Sequence, residues 1–217
     1  MFKITTRSET IEKRITDALR AKVARDGYPK KIDKVASELH DKLIGIMRAA
    51  VLSSNEFNSL MGGKLRADFG LDDNIVSILP EILIDLFEIY YEDAEVSDPK
   101  NIFAIRFIVR ARDEDDPYVQ SAYHRAHYVS KKSGEIIQWL KWLLFAGGDV
   151  INETYKVKLV DGKGRSGMAI MITGDNFSFR VDGEFSGTAR SNMVSRAIDS
   201  VKDEMVSVIR SYTNVTK

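Results

Sequence analysis

Apolar residues recur every third or fourth position along much of this chain and every second position in a few short runs. That pattern predicts long helices and brief strands. Thr6 and Glu9 have capping-box spacing, and Ile11, Ile15, Leu19 and Val23 follow at helical intervals until Gly27 and Pro29. A second helix is expected from Ile32 to Leu52, with Ile32, Val35, Leu39, Leu43, Ile46 and Val51 on one stripe. Lys34, Glu38, Asp41 and Arg48 lie opposite that stripe. The two helices, joined through Asp26-Gly27-Tyr28-Pro29, read as an antiparallel pair, so that residues 1–52 form a helical N-terminal subregion.

Ser53 to Gly70 reads as a mixed connection around the flexible pair Gly62-Gly63. Asp72 or Asp73 is expected to cap a short helix through Ile75, Ile78 and Leu79, which Pro80 interrupts or after which it begins a new turn. The run Ile82 to Tyr91 begins as helix and ends in strand formers. The acidic stretch Glu92 to Asp98 and Pro99 make a turn into the clearest strand, Ile102 to Arg110. There Phe103, Ile105, Phe107 and Val109 alternate with Ile102, Ala104, Arg106, Ile108 and Arg110. Ser133 is expected to cap a helix carrying Ile136, Ile137, Trp139, Leu140, Leu143 and Leu144, stopped by Gly147-Gly148. Tyr155 to Val160 and Met168 to Ile172 read as a strand pair, with Phe177 to Val181 as a third strand. A closing helix runs from Gly187 through Ala189, Met193, Ala197, Val201 and Val208. This order predicts a single α+β domain over residues 1–217: an N-terminal helical pair, a mixed, mostly antiparallel sheet packed with helices, and a C-terminal helix.

Composition narrows the function classes. With 32 basic and 32 acidic residues, no net charge argues for nucleic acid or anionic lipid. With no cysteine, disulfides, thiolate metal sites and cysteine nucleophiles are excluded. No span of about 20 apolar residues is present, and the start has no apolar stretch of signal-peptide type. A membrane partner is therefore not expected, and synthesis in a reducing compartment is.

Gly162, Gly164 and Gly167 spell G-x-G-x-x-G, but the following Met168 to Ile172 reads as strand where a phosphate-binding helix should begin. A hairpin turn is the better reading. His124 and His127 would share a helix face if Gln120 to Val129 were helical, with Asp113 to Asp116 as nearby carboxylates. They match no zinc-ligand pattern, and the third histidine, His40, lies on another helix. The acidic run lacks calcium-loop spacing, and Ser166 is not in a G-x-S-x-G elbow. No catalytic residue, metal site or cofactor is assigned. Trp139 is read as core, and Trp142 as core or as a partner contact.

Four blocks in order carry a resemblance. They are Ser53 to Leu71, Ile137 to Asp149, Gly164 to Met171, and Glu184 to Met193 running into Ile198. Together they resemble small virion proteins of tailed bacteriophages that sit at the neck or tail-completion position. The chain departs from that pattern at Trp142, where a Glu is expected, and at Met193, where a Trp is expected. The resemblance implies a ring-forming homo-oligomer between portal and tail, assembled in the host cytoplasm into the virion. Its partners would be portal or adaptor and tail proteins, with DNA passing non-specifically and no catalysis. A tail terminator, a head-side adaptor ring, and a metal-dependent hydrolase built on His124 and His127 are the competing readings. Contacts are expected at Trp142, at Arg165 in the glycine-flanked turn, at Lys64 and Arg66 in the connection, and in a tail starting at Tyr212.

Overall fold

The computed structural model describes residues 29–93, 105–129 and 134–213. The expected first helix, Ala94 to Pro99 of the expected turn, Ile102 to Ala104 of the expected strand, Ser133 and the last four residues lie outside them, and Glu92 and Asp93, expected in the turn, are strand. Seven helices and six strands are described, an α+β fold that opens and closes on a long helix. Helix α1 spans Pro29–Ser53, α2 Asn55–Gly62, α3 Lys64–Phe69 and α4 Asp73–Ile84. Strands β1 (Phe87–Asp93) and β2 (Ile105–Ala111) follow, then α5 (Pro117–Arg125). Next come β3 (Tyr128–Val129), β4 (Ile136–Ile137), α6 (Trp139–Phe145), β5 (Tyr155–Leu159), β6 (Ala169–Thr173) and α7 (Met193–Thr213). Among the described residues the strands form three separate two-stranded antiparallel sheets, β1-β2, β3-β4 and β5-β6.

The chain divides into two compact units, each built from separated stretches. The first contains residues 29–50, 87–93, 105–111 and 197–213. Within it α1 buries Ala36, Leu39, Leu43, Met47 and Ala50, spaced three or four apart as one helix face requires. Lys34, Glu38, Asp41 and Arg48 are exposed, as their positions opposite the stripe predict. The β1-β2 register alternates cleanly. Phe87, Ile89, Val109 and Phe107 are buried on one face, while the other pairs Glu88 with Arg110 in an ion pair across the strands. His40 Nε2 on α1 donates to the Ile89 carbonyl at 2.9 Å, tying helix to strand. Helix α7 contributes Met205 and Ile209, both fully buried, while Val201 and Val208 are only half-buried.

The second unit is Val51–Leu86 with Arg112–Arg196. Ser54 caps α2, its hydroxyl accepting the Phe57 N–H at 3.1 Å. Asp72 caps α4 by accepting the Ile75 N–H at 3.0 Å. Asp116 caps α5 and takes the Tyr118 N–H at 2.8 Å, so the acidic run serves the helix start. The core gathers Leu60, Leu65, Phe69, Leu79, Trp139, Leu143 and Phe179, with Phe69 and Trp139 rings 5.2 Å apart. Among the described residues, nothing hydrogen-bonds the buried Tyr123 Oη and Trp139 Nε1. Burial also pushes the Tyr123 phenol well above its ordinary pKa, since the anion would lose its hydration.

Several expectations are corrected. Ser53 to Gly70 is two short helices: Gly63 caps both, and Ser59 Oγ accepts the Leu65 N–H at 3.0 Å. Helix α4 runs through Pro80 to Ile84. Ile136 and Ile137 are strand, paired with Val129 and Tyr128, and α6 starts only at Trp139. Phe177 to Val181 makes a single bridge, Asn152 with Phe179, and no strand. Ala189 is exposed in a turn ahead of α7, which begins at Met193.

Candidate functional site

Lys64, Arg66, Arg165 and Trp142 all lie in the second unit, around the short helix α3. Helix α3 stops because Gly70 adopts the left-handed conformation, φ 62°, and its N–H returns to the Ala67 and Arg66 carbonyls. The missing Cβ at Gly70 also leaves room for Arg165, whose Nη2 would lie 3.2 Å from such an atom. That guanidinium sits 3.5 Å from the centroid of the Tyr128 ring and donates to the Phe69 carbonyl at 3.4 Å. A cation thus caps the negative end of α3 while stacking on an aromatic face.

Arg165 is carried by the turn between β5 and β6. Gly162, Gly164 and Gly167 all have positive φ, and Gly162 N–H donates to the Gly167 carbonyl at 2.8 Å. The glycine run therefore turns a hairpin, and β6 stands where a phosphate-binding helix would have to start. Ser166 is buried, its hydroxyl accepting the Met168 N–H at 3.3 Å, a turn-closing role. Hairpin and α3 together enclose a cleft of about 220 Å³, lined by Asp68, Gly70, Tyr128, Val157, Arg165 and Met171.

An ionic frame holds α3 from outside. Lys64 Nζ reaches Asp182 at 2.5 Å and Asp68 at 3.9 Å. The hydrogen bond to Asp182 raises the Lys64 pKa, and the same bond lowers that of Asp182. Asp68 moves the other way: burial raises its carboxyl, Lys64 opposes that, and Asp182 adds to it. Arg66 is consumed structurally, its fork donating to the Leu71 carbonyl (3.2 Å), the Met61 carbonyl (3.0 Å) and Asp73 (2.6 Å). With its side chain only 18% exposed it welds α2, α3 and α4 and offers little to a partner.

Trp142 is half-buried, its ring edge-on to Phe179 at 6.3 Å, and Phe179 in turn meets Phe69. Tyr212 lies in the first unit. It belongs to the last turn of α7, not to a tail beyond it, and its ring receives the Lys42 ammonium 4.7 Å from the centroid.

The histidine pair does not share a helix face. Helix α5 ends at Arg125, and His127 Nδ1 donates back to the His124 carbonyl. Among the described residues no group of three histidines or carboxylates is placed to hold a metal ion.

Sequence reasoning missed a buried charge contact of this unit. Glu56 on α2 is buried, and Arg196 grips it from Nε at 2.8 Å and Nη2 at 2.6 Å. The same guanidinium donates to the Phe185 and Ser186 carbonyls. No spacing links residues so far apart in the chain. The arrangement leaves a cation at the cleft: the Arg165 guanidinium, stacked on Tyr128 and bonded to the Phe69 carbonyl, stands beside Val157 and Met171, and its remaining donors suit carboxylates and peptide carbonyls. No helix of the described residues is long and apolar enough to cross a membrane. No family model, curated protein or solved structure matches this chain.

Proposed function

We propose that the protein is a structural component of a tailed-phage virion at the head–tail junction, a ring-forming neck or tail-completion protein without catalysis of its own. One observation carries this reading. The four blocks on which the resemblance rests are scattered along the sequence, yet they meet in space within one unit. The first touches the second through Phe69 and Trp139, and the third through the Phe69 carbonyl and Arg165. The second meets the fourth where Gly147 N–H donates to the Gly187 carbonyl at 2.8 Å. The first also meets the stretch into which the fourth runs, through Glu56 and Arg196. Blocks shared with a family because they build a common core would converge in this way.

Electrical neutrality fits the role. A strongly basic lumen would hold passing phosphates, and this chain carries no net charge. The partners would be portal or adaptor proteins on one side and tail proteins on the other, with assembly in the host cytoplasm. Electron microscopy of particles made without the protein tests it. DNA-filled heads and finished tails that fail to join are expected. Normally joined particles would refute the reading, and tails of uncontrolled length would reassign the protein to tail termination.

A further inference from the structure

We propose that the outer edge of β6 is a contact surface for β6 of a second copy, the two strands pairing antiparallel with Ile172 opposite Ile172. The inference rests on the strand's own chemistry and is independent of the virion reading.

The register decides which peptide groups are free. Gly174 N–H donates to Thr154 at 3.0 Å and Val160 N–H to Met168 at 2.9 Å, which fixes the hydrogen-bonded pairs of the hairpin. Such pairs alternate with non-bonded ones in an antiparallel ladder. Lys156 with Ile172 and Lys158 with Ile170 are thus bonded, and Ala169, Met171 and Thr173 point their N–H and C=O groups away from β5. At Ala169 the backbone of Gly164 closes against the carbonyl oxygen. Met171 and Thr173 remain, and no other described residue hydrogen-bonds their outward groups.

The two open edges of this hairpin differ in charge. In β5, Tyr-Lys-Val-Lys-Leu, both Lys156 and Lys158 are exposed. Every antiparallel self-pairing centred on residues 156–158 sets lysine opposite lysine, which is repulsive. Lysines of this kind guard an edge against pairing. Strand β6, Ala-Ile-Met-Ile-Thr, has no charge, no proline and no glycine. Centred on Ile172, self-pairing places Met171 opposite Thr173 of the other copy, twice, and closes four N–H···O bonds from the two free residues of each copy. Met171 is already 45% exposed and needs no unpacking to reach a neighbour. Pairing β6 with β5 of another copy would instead set its isoleucines against lysines and continue without closing.

Because the chain has no cysteine, Ile172→Cys is a clean single-thiol probe. Cross-strand Cβ atoms of a non-hydrogen-bonded pair lie at disulfide distance. Under mild oxidation at high protein concentration I172C is expected to give a covalent dimer, and K158C is not. Met171→Pro removes one outward N–H per copy, a change an edge strand tolerates. Losing two intermolecular bonds should weaken self-association by roughly 30-fold in sedimentation equilibrium. The unfolding midpoint serves as the control for M171P. If that variant misfolds, the cross-link alone decides. A monomer at every concentration, an uncross-linked I172C, or a higher oligomer whose I172C stays reduced would each overturn the contact. The last of these would leave a ring-forming role untouched.

Discussion

Arg196 shows how much one side chain can organise. Its guanidinium neutralises a carboxylate that is nearly all enclosed and ties two backbone carbonyls ahead of α7. Arg196→Ala would strand Glu56 as a buried, uncompensated charge. Removing one partner of such a pair costs about 3–5 kcal/mol, and the 36% exposure of Arg196 brings the expectation down to roughly 2–4 kcal/mol. Urea unfolding measures it. Arg196→Lys should recover only part of the loss, since one ammonium nitrogen cannot take the places of the three nitrogens that reach Glu56, Phe185 and Ser186. Neither Glu56 nor Arg196 announces its partner, because charged residues in a sequence carry no address. By contrast, the caps at Ser54, Asp72 and Asp116 act within three residues, where local spacing is informative.

The Lys64 group gives opposed pH signatures. The Asp182 carboxyl is held below its ordinary 3.8 by Lys64, so its stabilising contribution is present above that value. That contribution disappears as pH falls through the lowered value. The Asp68 carboxyl is raised, so its folded form prefers the proton. Its burden is absent below 3.8 and grows as pH rises through the raised value. Asp68→Asn should therefore raise the thermal midpoint at pH 7 and leave it unchanged near pH 3. A lower midpoint at pH 7 would mean that the pair with Lys64 outweighs the dehydration of Asp68.

At the scale of elements, the β5-β6 hairpin is the clearest test of backbone against side chain. Gly162→Ala and Gly167→Ala should each cost about 1–2 kcal/mol, the strain of positive φ with open space around the new methyl. Gly164→Ala adds a collision with the Ala169 carbonyl and should cost more than either. Circular dichroism melts of the three variants order them. Elements with a sustained period were readable from sequence: α1, the helix-to-strand passage at Ile82 to Tyr91, β2 and this hairpin. Helices α2 and α3, at 8 and 6 residues, are too short for an amphipathic period to register. Ile136 to Leu144 is nearly continuous apolar sequence, which suits helix and buried strand alike, and pairing with β3 decided its first two residues. Tertiary context thus outweighed propensity at both places.

For the whole molecule, the two units differ in how the chain supplies them. All of the second lies between the parts of the first, which takes stretches before, within and after it. Deleting Ala197–Lys217 should therefore leave the second unit folded and the first without Met205 and Ile209. Hydrogen exchange would show protection retained around Leu143 and lost around Leu43. Uniform loss would mean that the units fold only together.

That interruption has a consequence during synthesis. Helix α1 leaves the ribosome early, with Leu39, Leu43 and Met47 ready for burial, but α7 is translated only after the whole second unit. At about 5–20 residues per second, Met205 and Ile209 join the first unit only seconds to tens of seconds after α1 has emerged. The second unit, complete by Arg196, can meanwhile fold in its own time. Synthesis speed thus sets how long the first unit stays incomplete.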